Sequence, residues 1–129
     1  MDNIKDLYKQ SPLTTIVVVD ENNIIKLPVL QFGVPNINGR IYTAEAYKGF
    51  NKGAPDEESF SGGIPTTLLN AEIEGDYLIA TAYVNSPSAT LLLSGLRCYP
   101  AARSEGGLSR DNYAKNFTLL GFDLIPVMD

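Results

Sequence analysis

Residues 68–85, with the sequence LLNAEIEGDYLIATAYVN, carry the strongest fold signal in the chain. Two apolar runs flank Gly75-Asp76, a dipeptide suited to a tight turn, so the stretch predicts a β-hairpin. Alternate residues of the second strand form two largely apolar sets on opposite faces: Leu78, Ala80, Ala82 and Val84 on one, and Tyr77, Ile79, Thr81 and Tyr83 on the other. Such a strand is central in a barrel or covered on both sides.

A second pair of strand signals lies nearer the N-terminus. Residues 13–19 are rich in β-branched side chains, and the apolar run 24–32 follows the Asn-rich turn 20–23. This pattern predicts another hairpin, in which Pro28 marks an edge or a bulge because proline cannot donate to a strand ladder. Residues 1–12 are polar and mixed, so we expect an N-terminal arm or short helix, followed by a single domain over residues 13–129.

The rest of the chain alternates helix, strand and loop signals. Thr43 is placed to cap a helix near residues 43–47, and Ser86-Pro87 open a predicted helix to Leu96 in which Leu91, Leu92 and Leu93 turn mostly inward. Residues 49–63 form a predicted polar loop. A short strand over 99–103, a Gly-rich loop over 104–112 and a last strand over 116–127 follow, with Gly121 as a bulge.

Neighbouring hairpins favour a mostly β fold of the α+β class, with an antiparallel sheet curled into a small barrel and two short helices. The predicted core consists of apolar residues from all these elements: Ile16, Val18, Leu30, Leu78, Ala80, Ala82, Leu92, Leu96, Leu119 and Leu124.

Composition excludes several classes of function. The chain has 129 residues, of which 44% are hydrophobic and 19% charged, as in one globular domain. Its net charge of −5 and the lack of a Lys/Arg cluster argue against nucleic-acid binding. No apolar run is long enough to span a membrane, and residues 1–6 lack the order of a secretion signal. The single cysteine, Cys98, fits a reducing compartment and packs as a small buried hydrophobe.

The sequence contains no histidine. Ser-His and Cys-His nucleophile pairs are therefore ruled out, as are His-containing metal sites, and one cysteine cannot build a thiolate zinc cage. The consecutive carboxylates Asp56, Glu57 and Glu58 lack the alternating spacing of a calcium loop, so a solvated acidic loop is expected. We therefore predict no metal and no cofactor.

Three segments together resemble the prohead maturation proteases of tailed bacteriophages, relatives of the herpesvirus assembly proteases. They are residues 35–42 (PNINGRIY), residues 85–96 (NSPSATLLLSGL) leading into 99–106 (YPAARSEG), and residues 116–126 (NFTLLGFDLIP). The family has an N-x-N-G-R-x-Y loop after its first strands, a helix leading to a serine strand, and a last strand of the form F-x-L-x-G-x-D. The resemblance spans roughly residues 13–127 and implies the same fold.

The departures from this family concern its catalytic residues. Residues 61–68 match the segment that supplies the family's histidine, but contain none. Arg103 aligns with the arginine that follows the serine, which leaves Ala101 and Ala102 at the serine positions. Base and nucleophile are both missing, so the resemblance implies an inactive relative without catalytic residues. We also expect a filled groove at Ala101 and Ala102, covered by residues 61–67 or by a neighbouring subunit.

Two sets of residues remain as site candidates. Asn36, Asn38, Gly39, Arg40 and Tyr42 are candidates for a binding loop, although a local turn explains the asparagines, and Arg40 and Tyr42 are expected to pin the loop to the barrel. Ser104 is the remaining hydroxyl beside Arg103, and it lacks a base, so a loop serine is the favoured interpretation.

The resemblance and its departures imply a non-enzymatic structural protein of a tailed-phage virion, an auxiliary or decoration capsid protein. Its expected partners are the major capsid protein, other virion proteins or copies of itself, with no nucleic acid and no membrane. Its expected location is the capsid, assembled in the host cytoplasm. Two alternatives stay open: an active prohead maturation protease with a rearranged site, and a phage-encoded binding module.

Overall fold

A computed structural model describes residues 4–52, 63–93 and 95–127, and these form two β-sheets and two short α-helices. The smaller sheet has the order β2-β6-β5, with β2 at Ile24–Gln31, β5 at Thr67–Glu74 and β6 at Tyr77–Tyr83. The larger sheet has the order β1-β7-β8-β3, with β1 at Thr15–Ile16, β3 at Tyr47–Phe50, β7 at Arg97–Leu108 and β8 at Ala114–Pro126. The short strand β4, Ile64–Pro65, also pairs with β8.

The hairpin predicted over residues 68–85 is confirmed as β5 and β6. Glu74 lies opposite Tyr77, and Gly75 adopts a φ of 61°, a left-handed conformation that glycine takes readily. β6 is the central strand of its sheet, as its two apolar faces indicate. One face is fully buried, while Tyr83 on the other face is 39% exposed, so the second face is only partly covered.

The predicted closed antiparallel barrel is wrong, because no strand pair joins the two sheets within the described residues. The predicted hairpin 13–32 does not form either. Its turn exists, since the Asp20 carboxylate accepts from the backbone N–H groups of Asn22 and Ile24. However, β1 pairs with β7 and β2 pairs with β6, so this turn links two sheets instead of two neighbouring strands. β3 also runs parallel to β8, which an all-antiparallel barrel excludes.

The main core lies between the sheets, and most of its predicted members are buried there. Ile16 and Val18 are the exceptions, at 54% and 78% exposed, whereas Val17 between them is only 4% exposed. Successive side chains of an extended chain point to opposite sides, so residues 16 and 18 share one side and residue 17 takes the other. Here the inward side is that of Val17. Leu96 is half-buried and packs against the same core.

The helices are shorter than the sequence suggests. The arm contains α1, Ile4–Gln10, and the helix signal near residue 43 yields only a 3₁₀ turn at Ala44–Ala46, with no cap bond from the Thr43 side chain. α2 spans Ser86–Leu92 and is capped by Asn85, whose side chain accepts from the Ser88 N–H at 3.0 Å.

The expectation that residues 91–93 of this helix turn mostly inward is wrong. Leu91 and Leu93 are 56% and 74% exposed, and among these three residues only Leu92 is buried. A seven-residue helix offers the core one narrow face, and Ala89 and Leu92, three residues apart, occupy it.

Strand β7 is longer than predicted, since it continues through the expected Gly-rich loop to Leu108. Glycine suits this stretch because a Cβ at Gly106 would lie 2.8 Å from the carbonyl oxygen of Lys115 on β8. The predicted bulge is confirmed: the register shifts after the Arg103–Gly121 pair, so that Ser104 lies opposite Leu119. The predicted loop 49–63 is described only at its ends, and the acidic residues 56–58 lie outside the described residues.

Candidate functional site

A cavity of about 570 Å³ opens beside strand β7. Its floor is made by residues 99 and 101–103 of β7 together with Asp123 of β8. Its walls are β2 at residues 29–31, the loop 34–38 with Tyr42, and α1 with the turn that follows it, at residues 7, 8 and 10–13. The cavity therefore lies at the strand whose serine positions are Ala101 and Ala102 in this chain.

The expected filled groove is not seen within the described residues, where Ala101 and Ala102 border a cavity; cover by a neighbouring subunit stays a prediction. Two small side chains leave room that the facing wall does not fill. The proposed cover, residues 61–67, is described only from residue 63 onward. Within that part, Thr66 is buried elsewhere, with its hydroxyl donating to the Phe122 carbonyl oxygen at 2.7 Å.

Alternation along β7 determines which side chains face the cavity. Tyr99, Ala101 and Arg103 share one face, and the register places Asp123 of β8 opposite Ala101. The ring of Tyr8, carried by α1, stacks on Tyr99 with centroids 4.6 Å apart. The N-terminal arm thus forms a wall of the cavity through an aromatic contact.

The cavity contains one buried ion pair. The Arg103 Nη1 atom lies 3.0 Å from the Asp123 Oδ2 atom, and Asp123 is only 2% exposed. A buried carboxylate is costly without a cation, so Arg103 offsets much of that cost. The other described residues that line the cavity are uncharged, so this part of its lining carries no net charge.

The outer edge of β7 is open beside the cavity. The Val127 N–H donates to the Arg97 carbonyl, so the backbone groups of Arg97 point toward β8. Because this direction alternates along an antiparallel strand, residues 99, 101 and 103 also point toward β8, and residues 98, 100 and 102 point away from it. Strand β1 covers this edge only at residues 97 and 98. Among the described residues, no hydrogen bond reaches the outward N–H and C=O of Ala102.

The predicted binding loop is a turn built on Asn36. Its side-chain oxygen accepts from the backbone N–H groups of Asn38 and Arg40, at 2.8 and 3.0 Å. Gly39 completes the turn with a φ of 79°. Asn36 and Asn38 also line the cavity, whereas Gly39 and Arg40 do not. Arg40 is exposed and joins the turn through its backbone N–H, which donates to the Asn36 side chain. The sequence predicts that the Arg40 guanidinium group anchors the loop, but the bond observed is made by the backbone.

Tyr42 anchors this loop, as expected. It is 6% exposed, its ring meets Phe117 edge-on at 4.8 Å, and its hydroxyl lies 3.0 Å from the Ser104 hydroxyl. Ser104 and Tyr42 line a smaller cavity of about 100 Å³, and Ser104 is not part of the lining of the large cavity. The structure therefore places Ser104, the sequence's candidate nucleophile, outside the lining of the large cavity.

Burial suppresses ionisation of two residues in β7. It raises the pKa of the Cys98 thiol to about 11, and this residue faces the main core. It also raises the pKa of Tyr99 to about 12, helped by the nearby Tyr8 and Tyr42. At neutral pH the thiol is therefore not activated as a thiolate, and the Tyr99 ring offers the cavity an uncharged surface.

In the described parts of the chain, neither a cluster of metal-ligating side chains nor a membrane-spanning helix is present. Within residues 4–52, 63–93 and 95–127, no three His, Cys, Asp or Glu side chains are grouped so that they could hold a metal ion. No helix in these ranges has both the length and the apolar character needed to cross a membrane.

No protein-family model matches the sequence, and no curated protein matches it. Comparison with solved structures instead finds the fold of a bacteriophage capsid assembly protease. One matching structure is that of gp21, the capsid assembly protease of bacteriophage T4. The two chains share 17% sequence identity with a TM-score of 0.56, and the match covers 87% of this chain and 92% of gp21.

This comparison confirms the predicted protease-like fold and corrects one expectation. The prediction that the chain is not an enzyme is contradicted, because a solved structure with a similar fold is a protease. That prediction depended on the missing histidine and on alanines at the serine positions. Catalytic activity carried by other side chains would leave no signature at those positions. The missing histidine and serines were therefore too narrow a basis for predicting that the chain is not an enzyme.

Sequence reasoning missed several residues of the cavity, among them Tyr8, Tyr99 and Asp123. Asp123 carried a usable signal, since a carboxylate inside the apolar run FTLLGFDLIP needs a buried partner, and Arg103 was the nearby cation in the paired motif. Tyr8 gave no such signal, because its contact depends on how the arm folds back over β7.

Proposed function

We propose that this protein acts in the assembly or decoration of a tailed-phage capsid, by holding an extended segment of a capsid protein along the outer edge of β7. The observation that carries the proposal is the open cavity of about 570 Å³ beside an uncovered strand edge. The similarity in fold to a capsid assembly protease supports the capsid context.

An extended segment suits this site better than a folded surface. Peptides bind sheet edges by adding a strand, with main-chain hydrogen bonds for affinity and pockets for alternate side chains. Ala102 offers an outward N–H and C=O, and the cavity lies directly beside it. The asparagine turn at residues 36–40 holds the facing wall in place.

The proposed partner is the major capsid protein or another virion protein, with copies of this chain as the alternative occupant. The proposed location is the capsid, assembled in the host cytoplasm. The net charge of −5 disfavours nucleic acid as the occupant of a neutral cavity.

The test compares two substitutions at Ala102 on purified particles. Ala102→Pro removes the outward N–H and leaves the β8-facing groups of Ala101 and Arg103 intact, whereas Ala102→Ser keeps the N–H at nearly the same size. Mass spectrometry of the particles should show reduced occupancy for the proline variant and normal occupancy for the serine variant. Equal occupancy for both, or absence of the wild-type chain from particles and from capsid-protein pull-downs, contradicts the proposal.

Proteolysis is the second candidate, favoured by the protease fold and by the cavity that stays open. Two serine hydroxyls lie nearby: Ser11 lines the large cavity and Ser104 the small one. The purified chain is incubated with capsid and scaffold proteins, and cleavage is followed by blotting. Cleavage that Ser11→Ala or Ser104→Ala abolishes would establish activity and name its residue. A pull-down dominated by host proteins would instead favour the binding module.

A further inference from the structure

We infer that the cavity selects an uncharged segment with a bulky apolar side chain, and that the small side chain of Ala101 makes the room for it. This inference rests on the proposed function, because it describes the segment that the β7 edge would hold. It adds what neither the fold nor the strand edge specifies, namely the chemistry of the bound residues.

The ion pair excludes charged side chains from the cavity floor. Arg103 and Asp123 are the charged residues among those that line the cavity, and they are paired at 3.0 Å. A carboxylate from a bound segment would compete with Asp123 for the guanidinium, and an ammonium would compete with Arg103 for the carboxylate. Either competition leaves a charge of the pair uncompensated in a buried place, which is strongly unfavourable.

The strand edge supplies little selectivity of its own. Pro100 has no N–H, β1 covers the edge at Cys98, and the register shifts after Arg103. Within this stretch of the edge, Ala102 is thus the residue that offers both backbone groups. Main-chain bonds are the same for every sequence, so the choice among segments falls to the cavity beside the edge.

The shape of the cavity favours a large apolar side chain. Ala101 lies on the cavity face between Tyr99 and Arg103, and its methyl group leaves open the space in front of Asp123. The stacked rings of Tyr8 and Tyr99 bound this space with uncharged aromatic surface. A volume of about 570 Å³ falls in the range of sites that enclose most of a small ligand.

The experiment uses an acetylated peptide library, Ac-Gly-Thr-X-X-X-Thr-Gly-NH₂, in which X is any residue except cysteine. The full chain is mixed with the library, and bound peptides are identified by mass spectrometry. We expect Leu, Ile, Val, Met, Phe and Tyr to be enriched at least about tenfold over Asp, Glu, Lys and Arg at one or more of the X positions.

Variants of Ala101 test the second half of the inference. Ala101→Leu should fill the space and reduce binding of the selected peptides about tenfold or more, whereas Ala44→Leu adds the same bulk outside the cavity lining and should bind normally. If Ala101→Leu fails to fold by circular dichroism, Val34→Phe narrows the cavity from the facing loop, where Val34 is 42% exposed.

The outcomes separate the two proposals. Enrichment of charged residues overturns the inference and leaves the proposed function standing. Unchanged binding by a folded variant that narrows the cavity also overturns the inference. No enrichment of any peptide by the wild-type chain overturns both the inference and the proposed function.

Discussion

Replacing Asp123 by alanine should destabilise the protein far more than loss of an exposed carboxylate. Asp123 is 2% exposed and its Oδ2 atom lies 3.0 Å from Nη1 of Arg103, whose side chain is 19% exposed. Removing one partner of a buried pair costs about 3–5 kcal/mol, and we expect the lower end because Arg103 borders an open cavity. Folded domains are stable by only about 5–15 kcal/mol, so this loss is large.

A matched control exists in the smaller sheet. Lys26 and Glu74 also pair across strands, at 3.8 Å, but their side chains are 59% and 54% exposed. Exposed pairs contribute about 0.2–1 kcal/mol, so Glu74→Ala should have a small effect. The double change Arg103→Met with Asp123→Leu removes both charges together and should recover most of the stability lost in Asp123→Ala.

Urea unfolding measures the difference, followed by tyrosine fluorescence because the chain has seven Tyr and no Trp. With an m-value of about 1–3 kcal/mol/M, a loss of about 3 kcal/mol lowers the midpoint by roughly 1–3 M. Equal midpoints for Asp123→Ala and Glu74→Ala would refute the argument from burial. A double variant no more stable than Asp123→Ala would show that packing, not charge, is responsible.

Three further predictions concern single buried or confined positions. Thr66→Val should cost about 1–2 kcal/mol in thermal or urea unfolding, since it leaves the buried Phe122 carbonyl without the donor that Thr66→Ser keeps. Gly106→Ala should lower stability by more than about 1 kcal/mol, because Gly106 has a φ of 158° and an added Cβ would lie 2.8 Å from a backbone oxygen. Gly107→Ala is the control, since a Cβ there would meet only a side-chain atom, at 3.9 Å. At pH 8, iodoacetamide should modify Cys98 about a hundredfold more slowly than a thiol of pKa 9.0, because burial raises the pKa of Cys98 to about 11 and favours the protonated thiol. The modification rate should rise as the pH approaches 11. A rate in the native protein equal to the rate in urea would contradict this prediction.

The sequence predicted local structure well and long-range pairing poorly. The hairpin at residues 67–83 depends on neighbouring strands and a two-residue turn, so its pattern and its partner lie together in the sequence. The pairing of β1 with β7 and the parallel pairing of β3 with β8 join segments more than 60 residues apart. Alternation shows that such a segment is a strand and says nothing about which edge it joins.

A few residues of the candidate site were predictable, but its shape was not. The resemblance pointed to Ala101, Ala102 and Arg103, and these do line the cavity. Whether small side chains produce a filled or an open groove depends on how far the facing wall stands away. Here Tyr8 of the arm and the turn at Asn36 hold that wall; the turn follows from a local pattern, whereas the Tyr8–Tyr99 contact joins distant segments and does not.

Strand β8 pairs with β7, β3 and β4, and it follows all three in the chain. The sheet β2-β6-β5 has all its residues by Tyr83, whereas the larger sheet lacks its common strand until Pro126 has been made. At about 5–20 residues per second, roughly 2–9 s of synthesis separate these two points. Until the second point β3, β4 and, once it has been made, β7 have no complete β8 to pair with, so a nascent chain would expose the β8-facing edge of β7 as well as its outer edge to chaperones and to other nascent chains.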